Sequence, residues 1–203
     1  VVTVVLDLLK KSFELAKQPS DAVKMKSKAE LVQPIILMAI VGSVVMAISM
    51  FVQGLFTLNI MAAASGLVVG AILGAIIVPI AALVFQGIVY LVAKVLGGKG
   101  TFTQQFYLVT IATAMGSLLV GVLGMIPCLG ALISIVGGLY LLYVQVVVMR
   151  DLHQVSTLKA LVAILTPLVI LALLAFLLFA ALMISMLAAL GIGAAGAGAA
   201  RVY

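Results

Sequence analysis

The sequence predicts an all-α fold, a polytopic membrane helical bundle with five transmembrane helices and an N-terminal amphipathic region. Three observations predict it. Of 203 residues, 67% are hydrophobic and only 8% are charged, whereas a soluble domain carries about 25% charged residues to wet its surface. Apolar runs of roughly 20 residues, enough to cross about 30 Å of hydrocarbon as helix, recur along the chain. Residues 31–93 and 100–149 contain no charged side chain at all. The alternation of apolar and polar at every second residue that marks a transmembrane β-barrel is absent.

Residues 1–30 form a cytoplasmic amphipathic region with six lysines and four acids. Val2, Leu6, Leu9, Phe13 and Ala16 recur at helical spacing, with Asp7, Lys10, Lys11, Glu14 and Lys17 on the other side. This pattern predicts an amphipathic helix of about four turns, lying in the membrane interface or packed against the bundle or a partner. No signal peptide is visible, because Asp7, Lys10 and Lys11 interrupt the first apolar segment. Pro19 ends the helix and Ser20 caps a short second one that carries Lys24, Lys26 and Lys28 toward the membrane.

The membrane domain occupies residues 31–190. Its spans are expected at residues 34–52, 67–93, 106–126, 129–149 and 158–190. Pro79 gives the second span a place to bend, and Pro167 does the same for the long fifth. Pro127 and Gly130 of "PCLG" make a tight turn between the third and fourth. Residues 191–203 form a Gly/Ala-rich tail with too many glycines for a firm helix. Cys128 is the sole cysteine, so no intramolecular disulfide is available.

Orientation follows from counting Lys and Arg loop by loop. The six N-terminal lysines join Lys94, Lys99, Arg150 and Lys159 on one side, against Arg201 alone on the other. The N-terminus is therefore expected in the cytoplasm and the C-terminus outside. Lys10, Lys11, Lys17, Lys94, Lys99, Arg150 and Lys159 would form a cytoplasmic basic surface, either as topology anchors or as a composite site for anionic lipid or an acidic partner.

Helices in lipid associate by close backbone approach. Gly66, Gly70 and Gly74 make a small-residue stripe on the second span, Gly130, Ser134 and Gly138 one on the fourth, and Ala39, Ser43 and Ala47 one on the first. These are expected to be helix-packing positions, with binding of partner helices or lining of a pore as the sharper alternative. Gln86 and Gln145 are expected to bond across a helix interface or to line a polar path. No ionisable residue lies at the centre of a span, which counts against proton- or ion-coupled transport. Neither HExxH, GxSxG nor a paired carboxylate occurs, so no catalytic residue, metal site or cofactor is expected. His153 is read as a solvated interfacial residue. "GGKGTF" lacks the spacing of a phosphate loop.

The order of features resembles the Yip1-domain family of five-span membrane proteins. The carriers are "QPSDAVKMK" ahead of "AELVQPIILMAIVGSVV", the second-to-third connection "VYLVAKVLGGKGTFTQQFYLVTIATA", and "IPCLGALISIVGGLYLLYVQVVVMRDLHQVSTLKALVAILTP". Within these, Gly97, Gly98, Lys99, His153, Ser156, Lys159 and Pro167 stand as in the prokaryotic-type members. The Asp-Leu-Tyr-Gly-Pro type motif of eukaryotic members is not present. The resemblance implies a membrane-organising scaffold or adaptor in a prokaryotic cell membrane. Its partners would be membrane lipids, anionic ones among them, and other membrane proteins or a second copy, with no nucleic acid. A passive channel or transporter for a small neutral solute is the alternative.

Overall fold

A computed structural model describes residues 2–28 and 30–189; the Gly/Ala-rich tail, expected to fray, lies outside them. Helix α1 (Val2–Lys17) and a 3-10 segment (Pro19–Lys28) precede α2 (Val32–Phe56), α3 (Ile60–Val95), α4 (Phe102–Leu123), α5 (Leu129–His153) and α6 (Thr157–Ala189). Five of these helices are long and apolar enough to cross a membrane, and the described residues contain no strand. The described residues up to Ile164 form one compact unit and those from Leu165 onward a second. In the second, α6 continues as helix to Ala189. Pro167, where a bend was expected, lies inside α6.

Helix starts are set by side chains that satisfy orphan N–H groups. α3 begins at Ile60 rather than at residue 67 because Asn59 Oδ1 accepts from Ala62 N at 2.9 Å. α4 begins at Phe102 behind a capping box: Thr101 Oγ1 accepts from Gln104 N, and Gln104 Oε1 accepts from Thr101 N.

α2 and α3 form a hairpin closed by small residues. A Cβ on Gly74 would lie 2.2 Å from Gly42 O, and one on Gly70 would lie 2.5 Å from Met46 O. Only glycine permits that approach at these two positions. Ser43 Oγ donates to Ala71 O at 2.9 Å across the same seam. Gly66 lies against Met50, so the whole α3 stripe faces α2.

α4 is the central helix, in contact with α1, α2, α3, α5 and the 3-10 segment. Residues 105–114 are all buried, on every side of the helix. That placement explains why α4 has the lowest hydropathy of the five spans: enclosed by protein over residues 105–114, it tolerates Gln105, Thr110 and Thr113.

α1 packs on the bundle, but not through the face its apolar residues suggested. Leu8, Ser12 and Leu15 are buried, while Leu6 and Phe13 are about half exposed. Ser12 Oγ accepts from Met115 N at 2.8 Å, and Tyr140 Oη donates to the carbonyl of Ala16. The small hydroxyl of Ser12 lets α1 approach the α4 backbone, which the bulkier Leu6–Phe13 face would prevent. Phe13 is instead covered by Lys17, whose Nζ lies 4.4 Å from the ring centroid.

Candidate functional site

The end where α3 and α5 finish and α4 and α6 begin carries the residues singled out by the "GGKG" and "RDLHQVSTLK" motifs. Gly97 has φ +94° and ends α3. Its N–H bonds to Lys94 O at 3.0 Å, and Gly98 N–H bonds to Ala93 O at 2.8 Å. That pair of bonds is a Schellman motif, which favours glycine at the left-handed position. The chain then turns across the end of α5, where Lys99 N donates to His153 O at 3.1 Å.

His153 is not solvated. It is completely buried, which overturns the interfacial expectation. The reason is helical periodicity: Met149 and His153, like Val148 and Leu152, fall one turn apart on the buried face of α5. Glycines make room for the ring. A Cβ on Gly98 would lie 2.5 Å from His153 Nδ1, and one on Gly100 would lie 3.1 Å from its Cε1. The glycines of the loop thus have separate physical causes, a left-handed cap at Gly97 and close approach to an imidazole at Gly98 and Gly100.

Beneath the loop, the imidazole joins a buried amide pair. Gln105 Nε2 donates to Gln86 O and to Gln86 Oε1, both at 2.9 Å, and Gln105 Oε1 lies 3.0 Å from His153 Nε2. A backbone carbonyl only accepts, so the Gln105 nitrogen must face Gln86. Its oxygen therefore faces His153, and His153 Nε2 carries the proton in this bond. Gln86 makes the interhelical bond expected of it; Gln145 does not take part. Tyr90 packs beside the network, 6.2 Å from the His153 ring and 5.8 Å from Phe102 between centroids. One junction therefore ties α3, α4 and α5 together.

The basic residues divide into two groups. Lys94, Lys99 and Lys159 are exposed at the junction's outer surface. Lys159 Nζ donates to Leu96 O at 3.1 Å, at the carbonyl end of α3, and Arg150 Nε pairs with Asp151 at 2.7 Å. Ser156 precedes α6, its carbonyl accepting from Ala160 N at 3.0 Å. Lys10, Lys11 and Lys17 stand apart, on α1. Ser12 places α1 beside Met115, which is 13 residues along α4 from Phe102, or about 20 Å at the helical rise. The single composite surface expected from the sequence is therefore two separate basic regions.

On the α4–α5 side, a Cβ on Gly130 would lie 2.0 Å from Gly124 O, and one on Gly124 would lie 2.8 Å from Ser134 Oγ. Gly138 has nothing within 4 Å of a built Cβ, so it is not a packing position within this chain. Among the described residues, no group of three or more His, Cys, Asp or Glu side chains could hold a metal ion.

The sequence reading missed Gln105, although a signal existed. The Thr-x-x-Gln capping box commits Gln104 to the helix start, and the next residue lies about 100° further around the axis, here toward Gln86 and His153.

Five helices long and apolar enough to cross a membrane, with no strand among the described residues, define a polytopic α-helical membrane protein. The Yip1 domain model matches residues 13–180, from within α1 to within α6, and the chain belongs to that family. Comparison with curated proteins gave no match, and comparison with solved structures gave none.

Proposed function

We propose that the chain is a membrane-organising scaffold or adaptor without enzymatic activity, whose docking surface is the end bearing Lys94, Lys99, Arg150 and Lys159. The observation that carries this reading is the junction beneath that surface. Its buried polar side chains join helices, and its glycines hold the Lys99 loop against His153. A surface held from below keeps its shape when a partner docks, so less ordering entropy opposes binding. The stripe of α3 closes on α2 rather than lining an opening, which weighs against the channel alternative. Crosslinking from position 99 in native membranes should capture one consistent partner. Saturable flux of a neutral solute through purified protein in liposomes, with no such partner, would replace the scaffold with a channel.

The docking end is further proposed to face the cytoplasm, supported by Lys94, Lys99, Arg150 and Lys159 at that end and by the absence of Lys and Arg from residues 57–59 and 124–128 at the other. Cys128 lies exposed in the turn at the opposite end, so the chain should react with an impermeant maleimide in intact cells. In a Cys128→Ser background, cysteine at Lys99 or Gln154 should stay protected until the cells are opened, while cysteine at Asn59 should be labelled. His153 is a poor reporter because it is buried in either orientation. Protection at Asn59 with labelling at Lys99 would reverse the topology.

A further inference from the structure

A cleft of about 740 Å³ lies between α1, the 3-10 segment and α4, lined by Lys10, Lys11, Glu14 and Lys24 together with Phe13, Leu15, Met25 and Met115. Its size is that of a small-ligand pocket. Its charge is unbalanced. Lys24 pairs with Asp21 at 2.8 Å and Glu14 with Lys17 at 3.4 Å, whereas Lys10 and Lys11 have no ion pair among the described residues. Asp7, one turn earlier on α1, forms no ion pair with either.

The location selects the occupant. Met115 belongs to a 22-residue apolar helix, and with Phe13 and Met25 it gives the cleft an apolar wall beside the two lysines. Ammonium groups held beside apolar side chains are stabilised by water or an anion. A soluble anion would leave the apolar wall uncovered. An anionic lipid is already present, its acyl chains compatible with Phe13, Met25 and Met115. We propose that this cleft binds one anionic phospholipid, with the phosphate between Lys10 and Lys11 and the chains along Met25 and Met115. The bound headgroup completes the charge balance of α1 and fastens that helix to α4. This site is separate from the proposed docking end and depends only on the chain being a membrane protein.

The test uses the full chain in mild detergent, titrated with phosphatidylglycerol or phosphatidylcholine, with bound lipid counted by native mass spectrometry. One phosphatidylglycerol per chain should be retained in preference to phosphatidylcholine. Lys10→Gln with Lys11→Gln should weaken that binding roughly thirtyfold, from the attraction each basic residue exerts on an anionic headgroup. Lys10→Arg with Lys11→Arg should preserve it, and Lys94→Gln with Lys99→Gln should leave it unchanged. Should the double glutamine variant fail to fold, Met115→Trp, which narrows the cleft at its α4 wall, should weaken retention. Equal binding of the two lipids, or undiminished retention in the glutamine or Trp variants, overturns the proposal. Displacement of the lipid by inorganic phosphate, or equal loss in the Lys94/Lys99 variant, overturns it too. The first would identify a site for soluble anions and the second a general charge effect.

Discussion

Gly70→Leu should lower the thermal unfolding midpoint of the protein in detergent sharply, while Val69→Leu next to it should scarcely change it. The Cβ alone would lie 2.5 Å from Met46 O and 2.7 Å from the Ala47 Cα. Both are backbone atoms of a neighbouring helix and cannot rotate away, so α2 and α3 must separate. Separation also stretches the Ser43–Ala71 bond, now 2.9 Å, and loosens the facing pair Gly42 and Gly74. Overpacking a tight core costs about 1–3 kcal/mol, and a clash with backbone belongs at the upper end. Val69 is 46% exposed, and a change there should stay within about 0.5 kcal/mol. Gly138→Leu is a second control, since nothing lies within 4 Å of that position. Similar midpoints for the Gly70 and Val69 variants would mean that the α2–α3 seam is not closed by these glycines.

The Gly70 seam was legible before any coordinates because small residues at every fourth position can only matter by contact, and in lipid contact between helices is what needs explaining. The five spans were legible for a similar reason: length and hydropathy are local properties, set by what a bilayer excludes. Gly138 shows the limit. It continues the spacing of Gly130 and Ser134, but a four-residue step drifts around a helix of 3.6 residues per turn, and α4 packs on the adjacent Gly137 instead, where a Cβ would lie 2.2 Å from Val120 Cγ2. α1 shows the limit more clearly. Its apolar residues Leu6, Leu9, Phe13 and Ala16 marked one face, and the bundle took another through Leu8, Ser12 and Leu15. Which face is buried depends on the shape of the receiving surface, here the α4 backbone at Met115, and no window of α1 contains that information. His153 was misread from its place in the connection after the fourth span, although the four-residue step from Met149 already put it on the core side of α5.

Gln105→Leu should destabilise the protein by about 2–6 kcal/mol, because it removes the Gln105 bond from two buried side-chain groups at about 1–3 kcal/mol each. One is Gln86 Oε1, which now accepts from Gln105 Nε2 at 2.9 Å, and the other is His153 Nε2, 3.0 Å from Gln105 Oε1. Gln105 and His153 are fully buried and Gln86 is 5% exposed, so water does not readily replace what is lost. Gln104→Ala, one residue away, removes only the reciprocal arm of the capping box and should cost about 1 kcal/mol or less. The contrast between neighbouring glutamines separates the network from any general effect at the start of α4. A double-mutant cycle measures the link directly. Gln86→Leu with Gln105→Leu should be less damaging than the sum of the single changes, since the second substitution removes a group that the first had orphaned. The same variants should also release the loop above. Losing the Gln105 bond frees the His153 ring against which Gly98 and Gly100 pack, so amide exchange at Lys99 should accelerate while exchange along the α2–α3 seam stays slow. Additive costs in the cycle, with unchanged exchange at Lys99, would show that the glutamines and the histidine act independently and that the junction does not hold the surface above it.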